Sequence, residues 1–289
     1  MTPRRLLIIH NPIAGRRHRW RYRATVAILR SHGCTVVERD TRGPGDAEVI
    51  AREERDNFDV VVAAGGDGTI NEVANGIAGS SVLLGIIPLG TANVLAAEVG
   101  LPLSARRVAA VLAHGAPRTI YAGLVNGRRF LMMAGIGFDA RTVTRVVPAL
   151  KRLLGKGAYA VAALSEWWAN TLPRYFVALD GMETEVASIV IAKGRSYGGK
   201  FVLAPGADLA APRFEACWLP HASRGGLVTV AGSLALRAGL HRNAVRFART
   251  STVRIDGPVG EPVQADGDIV AHLPVDITIA AEPLRLLAP

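Results

Sequence analysis

Over residues 1–119 the hydrophobic positions alternate between two periods. Short β-branched or leucine-rich runs at Arg5–His10, Cys34–Glu38, Asp59–Ala64 and Ser81–Ile87 read as strands. Between them the spacing lengthens to that of helices. Arg16–His32 can bring Trp20, Ala24, Ala27 and Ile28 to one face, and Asp46–Arg55 is a second helix. After Gly65 the apolar residues Ile70, Val73, Ala74 and Ile77 predict a third, with Thr69 able to cap it. Thr91–Val99 follows with Thr91 as cap and Gly100 just beyond its end, and then a helix from Ser104 through Ala113. Strands alternating with helices predict a parallel sheet covered by helices.

Near Thr119 the rhythm changes. Ile120–Val125, Asn126-Gly127 and Arg128–Ala134 carry a hairpin signal. After a helical stretch over 142–170 come short strands with turn punctuation: Tyr175–Leu179, Thr184–Ala192, Phe214–Leu219, Thr252–Ile255, Pro262–Ala265 and Val275–Ile279. That is the rhythm of an antiparallel sandwich or barrel. The expected fold is therefore an α/β domain over 1–119 followed by a mainly antiparallel β-sandwich over 120–280, with the tail 281–289 packing back on the first domain.

Composition adds a class and a partner. At 289 residues, with 49% hydrophobic and 20% charged residues, the chain is globular, and no run reaches the roughly 18 apolar residues of a membrane span. Arg4 and Arg5 ahead of Leu6–Ile9 resemble the opening of a signal peptide, but the run stops at His10-Asn11-Pro12 without a cleavage site. A cytoplasmic protein is expected. Cys34 and Cys217 lie in strand-like runs and read as buried free thiols. The net charge of +10 favours an anionic partner, nucleic acid or an anionic membrane surface. Eight arginines and no acid among the first 30 residues fit either a solvated helix face or contact with phosphates. Arg141, Arg145, Lys151, Arg152 and Lys156, interleaved with Val147, Leu150, Leu153 and Leu154, fit either a basic amphipathic helix on a membrane or a helix packed on its own sandwich.

The stretch Gly65-Gly66-Asp67-Gly68-Thr69 carries the strongest chemical signal. Glycines between a strand and a helix let the backbone approach a ligand, and the helix N-terminus favours a phosphate. Asp67 can hold a cation or a proton. The turns Asn11–Gly15, Thr41–Asp46, Gly65–Thr69 and Gly90–Asn93 all follow strand ends, where ligands of parallel sheets gather. Gly135-Ile136-Gly137-Phe138-Asp139-Ala140 matches a dinucleotide fingerprint in letters only, because it follows a hairpin and lacks the acid about 20 residues on.

Gly65–Thr69 resembles the nucleotide signature shared by diacylglycerol, sphingosine and NAD kinases and phosphofructokinases. Asn11-Pro12 with Gly15, Ile70-Asn71-Glu72 after the signature, Pro88–Asn93, Gly135–Ala140, Tyr197-Gly198-Gly199 and Asp266-Gly267-Asp268 extend the resemblance across nearly the whole chain to bacterial diacylglycerol-kinase-like lipid kinases. The resemblance implies an NAD-kinase- and phosphofructokinase-like first domain, a β-rich lipid-substrate domain, and ATP with Mg²⁺ bound in the cleft between them. It implies that Asn11, Pro12, Gly15, Thr41, Gly65, Gly66, Asp67, Gly68, Thr69, Asn71, Glu72, Gly90, Thr91 and Asn93 line the nucleotide, that Asp67 organises the metal, and that Asp266 and Asp268 are the catalytic pair. Many relatives carry Glu where this chain has Asp268, which leaves open which of the two accepts the proton. The family's acidic loop, which holds a structural metal in some members, falls near Asp208–Arg213. Here Ala210, Ala211 and Pro212 replace most of its acids and glycines, so no structural metal is expected.

The expected activity is ATP-dependent phosphorylation of a hydroxyl of diacylglycerol, a sphingoid base or a related lipid by a cytoplasmic protein held peripherally at an anionic membrane. No nucleic acid partner is expected, and a homodimer is left open. The alternatives are an NAD or other small-molecule kinase and a non-catalytic nucleotide- or nucleic-acid-binding regulator.

Overall fold

The computed structural model describes residues 3–14, 18–144, 173–197, 201–221 and 245–289, which form two compact units, Met1–Tyr121 with Ala281–Pro289, and Ala122–Ala280. Gly15, Gly198, Gly199 and nearly all of the predicted helix over 142–170 lie outside the described residues.

The first unit is a six-stranded sheet with strand order β2-β1-β3-β4-β20-β5. Its strands are β1 (Arg5–His10), β2 (Thr35–Asp40), β3 (Val60–Gly65), β4 (Leu83–Pro88), β5 (Pro117–Ile120) and β20 (Leu284–Leu287). The first four and β20 run parallel, and β5 is antiparallel to β20. Its helices are α1 (Arg19–Ser31), α2 (Asp46–Glu54), α3 (Asp67–Gly76), α4 (Val94–Glu98) and α5 (Ala105–His114).

The central strands are buried along nearly their whole length, as strands covered on both faces must be. On one face Leu6, Ile8, Val60 and Val62 meet Tyr22, Val26 and Leu29 of α1 and Val108 and Leu112 of α5. On the other face α2 packs against α3. The buried residues of α1 are thus Arg21, Tyr22, Thr25, Val26 and Leu29 rather than the expected face of Trp20, Ala24, Ala27 and Ile28; Trp20 is 69% exposed, and Ile28 is only partly buried against the core. That face packs on the sheet and on α5, and at its start the Tyr22 ring lies 4.0 Å from the His10 ring and nearly parallel to it.

The second unit holds two six-stranded antiparallel sheets. One has the order β10-β9-β16-β19-β6-β7 and the other β15-β14-β11-β8-β17-β18. Their strands are β6 (Gly123–Val125), β7 (Arg128–Phe130), β8 (Met133–Ile136), β9 (Tyr175–Leu179), β10 (Met182–Val186), β11 (Ser188–Ala192), β14 (Phe214–Leu219), β15 (Arg246–Thr250), β16 (Thr252–Asp256), β17 (Pro262–Ala265), β18 (Asp268–His272) and β19 (Val275–Ile279). A small ribbon pairs β12 (Ser196–Tyr197) with β13 (Phe201–Val202), and α6 (Phe138–Thr144) follows β8. One core joins the sheets, with Val177, Ile255 and Ile277 from the first and Ile136, Ile191 and Phe214 from the second. The α/β unit and the antiparallel unit are the expected fold class.

Two strand readings are corrected. Thr184–Ala192 is not one strand: β10 and β11 belong to different sheets, and the chain changes sheet at Ala187, whose N–H donates to the Leu219 carbonyl. The hairpin is also shorter than its sequence signal. Asn126 (φ 47°) and Gly127 (φ 88°) turn β6 into β7 as expected, but Ile120 belongs to β5 and Met133 begins β8 of the other sheet. Cys34 and Cys217 are both buried and free.

Candidate functional site

In the first unit, the turns that follow β1, β2, β3 and β4 are cross-linked at the carboxyl edge of the sheet. Asn11 opens the first. Its Oδ1 accepts the N–H groups of Ile13 (3.0 Å) and Ala14 (3.1 Å), a side-chain-held turn, and its Nδ2 donates to Thr69 Oγ1 at 3.2 Å. Thr41 is tied in through its N–H to the His10 carbonyl at 2.9 Å. Glu72 on α3 reaches the turn after β2, where its carboxylate accepts the N–H groups of Gly45 (3.0 Å) and Ala47 (3.2 Å) and so caps α2.

The turns after β3 and β4 touch backbone to backbone. The N–H groups of Leu89 and Gly90 donate to the Gly65 carbonyl, and a Cβ on Gly90 would stand 2.5 Å from the Gly66 Cα. Only glycine permits that approach. Asn93 closes the second turn by accepting from Gly90 N–H (2.9 Å) and donating to the Gly90 carbonyl (2.8 Å).

Asp67 joins the two turns. Its Oδ1 accepts the Val94 N–H at 2.6 Å, so a carboxylate distant in sequence caps α4. Burial pushes the Asp67 carboxyl up, while the amides of Val94, Asn93 and Leu95 oppose the shift. The expected caps are therefore corrected. Gly66, not Thr69, precedes α3; Thr69 is buried in its first turn against Gly65. Asn93, at φ 48°, precedes α4, and Thr91 lies outside it. Ser104 does precede α5, but its hydroxyl makes no capping bond.

Thr91, Gly90 and Asn93 line a concavity of about 400 Å³ together with His18, Trp20, Arg21 and Leu103. Arg21 is buried and donates to the Leu103 carbonyl at 3.3 Å. His18, Trp20, Arg21 and Leu103 carried no sequence motif. Their place beside the turn after β4 follows from the packing of α1 and α5, which one-dimensional spacing does not encode.

In the second unit, the turn Asp266-Gly267-Asp268 joins β17 to β18. Asp266 has φ 50° and Gly267 φ 95°, a turn geometry suited to a tight hairpin. The two acids differ. Asp266 Oδ2 accepts the Leu131 N–H at 2.7 Å, and its Oδ1 accepts those of Met132 (2.9 Å) and Met133 (3.1 Å). Asp268 is exposed to solvent.

Beneath that turn lies a buried polar cluster. Gln264 Oε1 accepts the Gly267 N–H at 2.9 Å, while its Nε2 donates to Asp139 Oδ2 at 2.5 Å, and the Tyr197 hydroxyl donates to Asp139 Oδ1. Burial pushes the Asp139 carboxyl up, and the bonds from Tyr197 and Gln264 oppose it. The motif Gly135–Ala140 thus runs from the end of the antiparallel strand β8 into α6 and supplies a buried acid, so it does not open a βαβ unit and matches a dinucleotide fingerprint in letters only. Arg141, the first residue of the basic segment, is paired with Glu261 of the same unit at 2.5 Å, where Tyr175 also donates at 2.9 Å. Arg145, Lys151, Arg152 and Lys156 lie outside the described residues.

Magnesium in phosphate-transfer sites takes one or two carboxylates, with phosphates and waters completing the shell. Asp67 beside the glycine turns fits that donor set. No group of three His, Cys, Asp or Glu side chains placed for a metal occurs among the described residues. No described helix is long and apolar enough to cross a membrane.

Comparison with known proteins covers both units. The model of the diacylglycerol kinase catalytic domain matches residues 5–125, and that of the YegS C-terminal NAD kinase beta sandwich-like domain matches residues 133–288. The chain is 34% identical over 301 residues to the "Probable lipid kinase YegS-like" protein of Pseudomonas aeruginosa (strain UCBPP-PA14), covering 97% of each chain. It is 31% identical over 295 residues to the diacylglycerol kinase of Bacillus subtilis (strain 168), covering 99% of this chain and 97% of that one. A crystal structure of a diacylglycerol kinase from Bacillus anthracis str. Sterne superposes with TM-score 0.78 at 19% identity, covering 100% of this chain and 98% of its own. At that identity the likeness speaks for the fold alone.

Proposed function

The chain belongs to the family of diacylglycerol kinases and YegS-like lipid kinases, and on that premise we propose that it transfers the γ-phosphate of ATP to a hydroxyl of diacylglycerol, a sphingoid base or a related lipid. The observation that carries the nucleotide half is the backbone-to-backbone packing of Gly66 against Gly90, which leaves main chain rather than side chains at the ends of β3 and β4. Main-chain amides in such turns suit phosphate oxygens.

Phosphoryl transfer asks for positioning and charge neutralisation more than for covalent help. A bound Mg²⁺ would supply neutralisation of the triphosphate charge, and Asp67 is the carboxylate that would hold it. Asn11 and Thr69 hold the first and third turns together, and Glu72 does the same for the second. The concavity beside Thr91 and Trp20 is assigned to the nucleotide's apolar part.

On the acceptor side the two acids receive different roles. Asp266 spends both oxygens on three backbone N–H groups and so shapes the turn. Asp268 is assigned as the base. As the lipid oxygen bonds to the γ-phosphorus and the bond to ADP breaks, the hydroxyl proton passes to the Asp268 carboxylate. The lipid substrate and anionic membrane surface belong to this proposal, as does the division into a nucleotide domain and a lipid domain.

The test is transfer of labelled γ-phosphate from ATP, with Mg²⁺, to a panel of lipid alcohols in mixed micelles, with NAD as a parallel acceptor. Labelled phospholipid is the expected product. Label in NAD with none in lipid would overturn the proposal in favour of a small-molecule kinase. Label in neither would leave only a binding role for the fold.

A further inference from the structure

Lys193, just after β11, is fully buried, with 0% of its surface exposed. Its ammonium donates to three main-chain carbonyls of one loop: those of Asp208 (3.0 Å), Ala211 and Arg213 (3.1 Å). An ammonium has three N–H donors on its side-chain end, and all three are matched. The loop is closed tightly around that point. The Ala211 N–H donates to the Asp208 carbonyl (3.2 Å), and Asp208 Oδ1 accepts the Ala210 N–H (2.9 Å).

Backbone carbonyls converging on one point form the donor set of a hard cation, and without a positive charge their dipoles would repel one another. This is also the loop at which the family resemblance places a structural metal. A divalent ion does not fit here. Asp208 is the only acid from residue 204 to residue 213, one of its oxygens already accepts a backbone N–H, and a second cation would meet the ammonium.

We infer that Lys193 is a built-in cation: its ammonium takes the place of a metal ion at the centre of the 208–213 loop, and shortening the side chain opens a cation site there. Burial draws the Lys193 amine down to about 8, with the Asp208 charge opposing, so the ammonium form predominates at pH 7. The same residue faces the acid turn through the main chain. The N–H groups of Lys193 (2.8 Å) and Gly194 (3.1 Å) donate to the Met132 carbonyl, whose own N–H is held by Asp266.

The test uses the full chain without nucleotide, comparing wild type with K193A and K193M by thermal melting in EDTA, Ca²⁺, Mg²⁺ and ethylammonium. K193A is expected to melt lower by on the order of 10 °C, because three converging carbonyls lose their donor and a cavity opens. Calcium or ethylammonium should restore part of that loss in a saturable way. K193M, whose side chain refills the space without charge, should melt low and stay low. Wild type should not respond. A wild-type midpoint that rises with Ca²⁺ as much as that of K193A, or a K193A midpoint indifferent to every cation, would overturn the inference.

Should K193A not fold, the wild type answers alone. The chain has four lysines, at 151, 156, 193 and 200, so its ¹⁵N ammonium spectrum is simple. One ammonium signal protected from water exchange at pH 7, and absent from K193R, is expected; no protected ammonium would refute the assignment.

Discussion

At the scale of single residues, the chemistry depends on how many lone pairs each acid has already committed. Asp266 and Asp268 are two positions apart and chemically identical, yet one carboxylate accepts three backbone N–H groups and the other faces solvent. The variants should therefore part. D268N is expected to lower kcat by about 10²- to 10⁴-fold, the usual worth of a general base, with an unchanged melting midpoint. D266N turns an amide toward backbone donors and should cost ~1–3 kcal/mol of stability as well as activity. Steady-state kinetics and thermal melting on the two proteins check this; full turnover by D268N would remove it from the proposed mechanism. In the sequence the two acids stood only as a pair that the family resemblance implies. The division of labour was not legible there, because the N–H donors come from residues 131–133.

Elements in the first unit are joined by contacts that cross the sheet rather than run along the chain. Of the caps predicted locally, Thr91 gives way to Asp67, which caps α4 from the turn after β3, and Thr69 gives way to Gly66 ahead of α3; Glu72, from α3, caps α2. The Gly66–Gly90 contact is the tightest of these joints. G90A should force the turns after β3 and β4 apart, lowering stability by ~1–3 kcal/mol and raising the KM for ATP. G43A is the control, since nothing lies within 4 Å of the added methyl. Equal melting midpoints and equal KM values for the two variants would show that the contact is dispensable. Elements of the second unit follow the same rule. The Thr184–Ala192 run looks like one strand because both halves are apolar and β-branched, and only the packing of two sheets divides it at Ala187.

For the whole molecule, the arrangement of the chain within its units matters as much as the elements themselves. The strand β20 inserts between β4 and β5, burying Leu284, Leu286 and Leu287. Deleting 281–289 should leave β4 with an unpaired hydrophobic edge and β5 detached, giving aggregated protein by size exclusion and a lost or strongly lowered thermal transition. A truncated chain that stays monodisperse with an unchanged midpoint would contradict that role. By itself the sequence determined the periodicities, hence the parallel and antiparallel halves, the glycine turns at strand ends and the family. Those features are local, set by which residues tolerate a strand, a helix or a left-handed turn. Only the tertiary structure decided which face of α1 is buried, which carboxylates cap helices, which acid of the 266–268 turn is spent, and that Lys193 sits where a cation would. Each of these depends on donors and acceptors far apart in sequence, and a buried polar group is defined by the partner that folding brings to it.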